Sequence, residues 1–200
     1  MPTTRTPWLL LIGALLAAAG QAANDPLSRE AANRLLAKAE GLRRNAETTA
    51  PKPSRVVVTE TEVNSYLAFD GPEVLPTGVV APRLTLHGGG RVTARAIVDL
   101  DAVRRARNST SWFDPLNYLR GQLPVSAAGV LTARDGSVRV ALERAEVSGI
   151  RIPKILLQEV VTYYTRSPEF PNGVNLDDPF PLPARIRSIT VDLGAAVVEQ

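Results

Sequence analysis

Arg91-Val-Thr-Ala-Arg-Ala-Ile-Val-Asp-Leu100 is the stretch on which the fold turns. Val92, Ala94, Ala96, Val98 and Leu100 take alternate positions, with Arg91, Thr93, Arg95 and Asp99 between them and Ile97 the one apolar residue on the polar side. A period of two sends successive side chains to opposite faces of a strand. One face is therefore buried and the other wet, the mark of an antiparallel sheet. Upstream, residues 79–86 read as the partner strand, joined through the turn His87-Gly-Gly-Gly90. Downstream, residues 122–133 and 137–148 flank Asp135-Gly136, a dipeptide suited to the positive φ angles of a two-residue hairpin turn. In that second hairpin Val138, Val140 and Leu142 point inward, and Arg139 and Glu143 outward.

Helices surround these hairpins. Residues 26–49 carry Leu27, Ala31, Leu35 and Leu42 at helical spacing, and Ala50-Pro-Lys-Pro53 ends the run. A short strand over 55–59 leads to Thr59 and Glu62, which stand at capping-box spacing. The helix they open reaches about Phe69, where Gly71-Pro72 is expected to stop it. Residues 101–107 read as a short helix and 111–119 as a loop with a turn of helix. Pro153 opens a helix to about Thr165, at a position proline tolerates. Its apolar stripe is Ile152, Leu156, Leu157, Val160, Val161 and Tyr164. Residues 167–183 form a proline-rich loop carrying Phe170 and Phe180. A last strand over 186–193 places Ile189, Val191 and Leu193 on one face, and residues 195–200 are read as its continuation. The fold class is α+β: a curved antiparallel sheet of two hairpins plus a C-terminal strand, wrapped around a long helix, with an N-terminal helix.

Residues 8–19, Trp-Leu-Leu-Leu-Ile-Gly-Ala-Leu-Leu-Ala-Ala-Ala, follow a single early charge, Arg5, and precede Gly20-Gln-Ala-Ala23. A charged start, a short apolar core and small residues at a cleavage position make a secretory signal peptide, with cleavage after Ala22 or Ala23. The alternative is an uncleaved anchor helix, although a bilayer span takes about 20 apolar residues. The expected organisation is a signal peptide over 1–23, an N-terminal helix and linker over 24–53, and an α+β domain over 54–200, in a bacterial periplasm. The chain has no cysteine. A disulfide frame, a thiolate metal site, a cysteine nucleophile and a lipid-anchored N-terminus of the usual bacterial kind are thereby excluded. A formal net charge of +3 with arginines interleaved with acids gives no basic stripe for nucleic acid. Arg104, Arg105 and Arg107 form the one dense cluster, either a solvated helix end or a contact with anionic headgroups at a membrane periphery.

No residue set reads as an active site, and no enzyme activity, metal or cofactor is expected. His87, the only histidine, sits beside a turn without a placed nucleophile. Glycines 88–90 join two strands, whereas phosphate and dinucleotide loops open a helix. The acid pairs Asp99/Asp101, Asp177/Asp178 and Glu60/Glu62 offer fewer oxygens than the six to eight that calcium takes. Asp99 and Asp101 suit a helix cap instead. Asn108-Ser109-Thr110 matches a glycosylation acceptor and reads as a loop.

The order of segments Val58-Thr-Glu-Thr-Glu-Val-Asn-Ser-Tyr-Leu67, Leu75-Pro-Thr-Gly78, Val98-Asp-Leu-Asp101, Gly121-Gln-Leu-Pro-Val125, Gly149-Ile-Arg-Ile-Pro153 and Phe180-Pro-Leu-Pro183 resembles bacterial envelope proteins with a half-barrel related to the tubular lipid-binding (TULIP) superfamily. The resemblance covers about residues 55–200 and implies a hydrophobic ligand, a lipid or acyl chain, held between helix and sheet. It carries over no catalytic residue. From the residues themselves, Ala94, Ala96, Ala127 and Ala128 are small for a core face, leaving room for a ligand or for the side chains of a covering helix. The expected lining is Val92, Ala94, Ala96, Val98, Val138, Val140, Leu142, Leu156, Val160, Val161 and Tyr164, with Phe170 and Phe180 at the rim. Ligand binding or transport, docking to an envelope protein, and an unrecognised hydrolase are the three readings, in that order.

Overall fold

Thr59 shows how local sequence sets the architecture. In the computed structural model, which describes residues 26–107, 120–165, 171–173 and 175–200, strand β1 (Arg55–Thr59) passes directly into helix α2 (Glu60–Phe69) at this residue. The Glu62 N–H donates to Thr59 Oγ1 at 3.2 Å, and the Thr59 N–H donates to Glu62 Oε2 at 3.0 Å. That reciprocal pair satisfies two otherwise orphaned donors. Residues 1–23, residues 108–119 and Phe170, on which several sequence expectations fall, lie outside the described residues.

Helix α1 (Arg29–Glu47) is capped by Ser28, whose Oγ accepts from the Ala31 N–H at 3.1 Å. It lies against α2 through small residues. Ala31, Ala32 and Ser65 are 1%, 0% and 0% exposed, and the Ser28 N–H donates to Ser65 Oγ at 3.2 Å. Large side chains at these positions would hold the helices apart. Helix α2 ends at Phe69, ahead of Gly71-Pro72, as expected. Proline is acceptable in a first turn, and the chain makes one more turn, α3 (Gly71–Val74), before leaving at Leu75.

The sheet is antiparallel throughout. Strands β2 (Val79–Gly88) and β3 (Arg91–Asp99) form the first hairpin, and β4 (Gln122–Arg134) and β5 (Ser137–Val147) the second. The two hairpins are joined edge to edge by β3 and β4, from Arg91↔Val130 to Asp99↔Gln122. Between β3 and β4 runs helix α4 (Leu100–Arg107), whose first turn is capped by Asp99 Oδ1 accepting from the Ala102 N–H at 2.9 Å. Asp135 and Gly136 have φ of 53° and 74°, the left-handed pair a two-residue hairpin turn needs. Register slips once in the second hairpin, between Ala128↔Arg144 and Gly129↔Leu142, so Glu143 is the extra residue of a bulge. A Cβ on Gly129 would stand 2.5 Å from the Ala141 carbonyl oxygen, which explains a glycine there. Short strand β6 (Ile150–Arg151) folds back on β5, and helix α5 (Lys154–Thr165) follows.

The C-terminal part departs from expectation in two places. Phe180 and Pro181 are not free loop: they form β7 (Phe180–Pro181), paired with Val138 and Ser137. Residues 195–200 do not continue the preceding strand. At Gly194, φ 70°, the chain reverses, and β8 (Ser188–Asp192) pairs antiparallel with β9 (Ala195–Glu199), which then pairs with β1. Leu193, expected on the apolar face, therefore stands in the bend at 80% exposure, whereas Val191 is buried. Where β3 has ended, β8 takes the free edge of β4 at Ala133↔Ile189, and His87↔Leu193 ties it to the first hairpin. Leu86, Ala133, Val191, Val197 and Val198 are buried at this end, each valine or leucine contributing about 1.5–3 kcal/mol.

Candidate functional site

Among the described residues no strand runs beside the outer edge of β2 except at the His87↔Leu193 bridge; α2 fills that role along Leu84 and Leu86. Asn64 Nδ2 donates to the Leu84 carbonyl at 2.8 Å, and Asn64 Oδ1 accepts from the Leu84 N–H at 2.7 Å. One carboxamide thus reproduces both bonds of a neighbouring strand. Four residues earlier and one helical turn away, Glu60 Oε2 accepts from the Leu86 N–H at 2.7 Å. These bonds hold α2 at the sheet margin with Val63 and Leu67 turned over the sheet face.

The middle of that face is a groove of about 1010 Å³ whose lining is almost wholly apolar. Its floor follows the strand register: Leu84 is paired with Ala94, Ala94 with Ala127, and Ala127 with Ala145. The next row is Ala96, Val125 and Val147. Paired residues share a face, so three alanines lie side by side across three strands. One wall is Val63, Leu67 and Leu75; the other is Ile152 with Leu156 and Leu157 of α5. The helix does not close down on the β3 side of the floor, where Ala94 is exposed and Ala96 only half-buried; Ala145, on the β5 side, is buried. The room left by the alanines is open space rather than a filled core.

Of the expected lining, Ala94, Ala96 and Leu156 are in the groove. Val92, Val98, Val138, Val140 and Leu142 share its sheet face but lie outside it. Val92 is registered with buried Leu86, and Val138 with buried Ala133, so these positions run toward the packed end under β8. The bulge at Glu143 is the physical reason the even-numbered residues of β5 do not continue into the groove. Past it, odd residues Ala145 and Val147 face that side. Val161 is not part of the lining, and the side chains of Val160 and Tyr164 are outside the described set. Phe180 is not at the rim: its partner Val138 is seven residues from Ala145, about 23 Å along the strand. Sequence reading missed Val63, Leu67 and Leu75. Val63 and Leu67 stand four residues apart on one side of α2, but nothing local says which part of the sheet that helix overhangs.

The charged groups near α2 serve to fix it. Glu62, 3% exposed, accepts from Lys38 Nζ at 2.6 and 2.7 Å and from Arg34 Nε at 3.4 Å. Burial by itself raises its carboxyl pKa. The bond and charge of Lys38, with the Thr59 N–H and Arg34, outweigh burial and hold the pKa below its ordinary value. His87, exposed at the turn, shares a 2.9 Å hydrogen bond with Thr93 Oγ1. Among the described residues no group of three or more His, Asp or Glu is arranged to hold a metal ion, and no helix is long and apolar enough to cross a membrane.

No family model matches the chain, and no curated protein matches it. A solved structure described as "Crystal structure of lipopolysaccharide binding protein" aligns at 14% identity and a TM-score of 0.22. The alignment covers 73% of this chain and 40% of that one, so the chain spans about two fifths of the length of that protein. A likeness at that TM-score carries no argument about fold or ligand.

Proposed function

We propose that this chain binds a hydrophobic ligand, the acyl chain of a lipid, in the groove between α2, α5 and the sheet, and does so without chemistry. The supporting observation is the groove itself: about 1010 Å³, floored by Ala94, Ala127 and Ala145, with almost no polar lining. Ligand pockets commonly span about 300–1,000 Å³ and are mostly apolar, so this one is at the upper end. An apolar space of that size left to water is unfavourable at about 25 cal/mol per Å² of surface, and an alkyl chain relieves the cost. Arg83, Arg95, Ser126 and Glu146 border the groove, but polar atoms make up very little of its surface. The place of action proposed from residues 1–23 is the bacterial periplasm, with transport as the physiological use. Protein purified from its native host, extracted and examined by mass spectrometry, is expected to yield about one lipid per chain. Its N-terminus is expected at Ala23 or Asn24, in the periplasmic fraction. Lipid-free protein with a stoichiometric protein partner contradicts the binding reading, and an intact Met1 in the membrane fraction contradicts the export reading.

A further inference from the structure

The sheet face opposite the groove carries its own pattern. Arg83, Arg95, Ser126, Glu146 and Arg151 form one continuous row across five strands by register. Arg144 belongs to the next row, through Thr93 and Ala128, and Arg91 to the one after, beside Val130 and Ala141. Arg139 and Arg134 complete the face beyond. All seven arginines are exposed. Against them stand Glu146, Asp99 at the margin, whose Oδ1 caps α4, and Glu143 in the bulge. Of the seven, only Arg144 has an ion-pair partner among the described residues, Glu146 at 3.9 Å. Arg83 and Arg95 are directly opposite each other, an arrangement of like charges that destabilises a sheet. Seven arginines against three acids leave this face with a local excess of positive charge.

We propose that this face docks on an anionic lipid bilayer, independently of whether the groove holds a ligand. The face has no aromatic residue in any of these rows, so it lacks the stacking platforms of single-stranded nucleic-acid binders. It also lacks the aromatic anchors that centre protein–protein interfaces, its partly exposed apolar row being confined to Val80, Ile97 and Pro124 at one margin. What it offers is an array of separate positive charges. A plane of laterally mobile headgroups matches such an array by rearranging, with no shape complementarity required. Each basic side chain near an anionic surface contributes about fivefold to binding.

The test is flotation of the full-length chain with vesicles. With phosphatidylcholine vesicles containing phosphatidylglycerol, in 0.1 M salt, the chain is expected to float. With pure phosphatidylcholine, or in 1 M salt where screening shortens the field to about 3 Å, the added attachment is expected to disappear. The combined variant Arg83→Gln, Arg95→Gln, Arg139→Gln, Arg144→Gln should lose on the order of a hundredfold or more in affinity for the anionic vesicles. Arg→Lys at the same four positions should retain most of it, and Arg43→Gln with Arg44→Gln on α1 should change it little. Melting curves of each variant report folding separately. Equal flotation with both vesicle types would assign attachment to the apolar residues 8–19 and overturn the proposal. So would undiminished binding by the glutamine variant, or tight binding of a soluble polyanion such as heparin by a chain that leaves anionic vesicles unbound.

Discussion

At the residue scale, two side chains of α2 do more than the others. Asn64 closes the edge of β2, and both of its polar atoms are engaged with Leu84. Asn64→Leu would leave the Leu84 N–H and carbonyl unpaired against an apolar side chain. A loss of about 1–3 kcal/mol is expected in denaturant unfolding, with a melting temperature lower by roughly 2–4 °C per kcal/mol. An unchanged midpoint would mean that those backbone groups find other partners. Glu62 binds α1 to α2 through Lys38. Its folded pKa is below its ordinary value of 4.5, so its contribution is fully present above that pH and is lost as pH falls through the folded value. Glu62→Gln removes it. The stability difference between parent and variant should be largest above about pH 4.5 and shrink in acid; a difference that holds or grows in acid contradicts the assignment. The capping box of Thr59 and Glu62 was legible from a four-residue pattern. The Asn64 bonds were not, because their partner is 20 residues away in sequence and belongs to a strand edge that exists only once the sheet forms.

At the scale of elements, alternation and turn chemistry were informative wherever a strand has one wet face. Both hairpins, α1, α2, α4 and α5 were readable from period and punctuation. Gly136→Val places a β-branched residue at φ 74° and should cost at least about 1–2 kcal/mol; an unaltered melting temperature would count against the tight turn between β4 and β5. Features that depend on pairing rather than pattern were not readable. Residues 186–200 alternate as one long strand would, and only the positive φ of Gly194 decides that they are two. The bulge at Glu143 leaves no trace in residue type, yet it exchanges which residues of β5 face the groove. That one slip is why Ala145 and Val147, rather than Arg144 and Glu146, take the groove side, whereas Val138, Val140 and Leu142 share that face but lie farther along the strand, toward β8. Phe180 illustrates the same limit: a proline-rich sequence suggests a rim, and a two-residue strand carries the residue to the far end of β5.

At the scale of the molecule, the sheet separates two surfaces of opposite character. One face holds an apolar groove under α2 and α5, and the other an open field of arginines. The small residues of the floor were visible in the sequence. Whether helix side chains fill the space above them was not, because that depends on how far α2 and α5 stand off the sheet. Ala96→Trp tests the groove most directly, read out by binding of a fluorescent fatty acid alongside thermal unfolding. In an open groove the indole occupies free space. The melting temperature should stay within a few degrees of the parent, and fatty-acid binding shown by the parent should be abolished. Ala141→Trp, on the exposed opposite face, is the matched control and should leave both unchanged. If the space is instead packed, the indole overfills a dense interior, and the variant should lose at least about 1–3 kcal/mol. A strongly destabilised Ala96→Trp from a parent that binds no fatty acid, or a stable one that binds as well as the parent, would contradict the account.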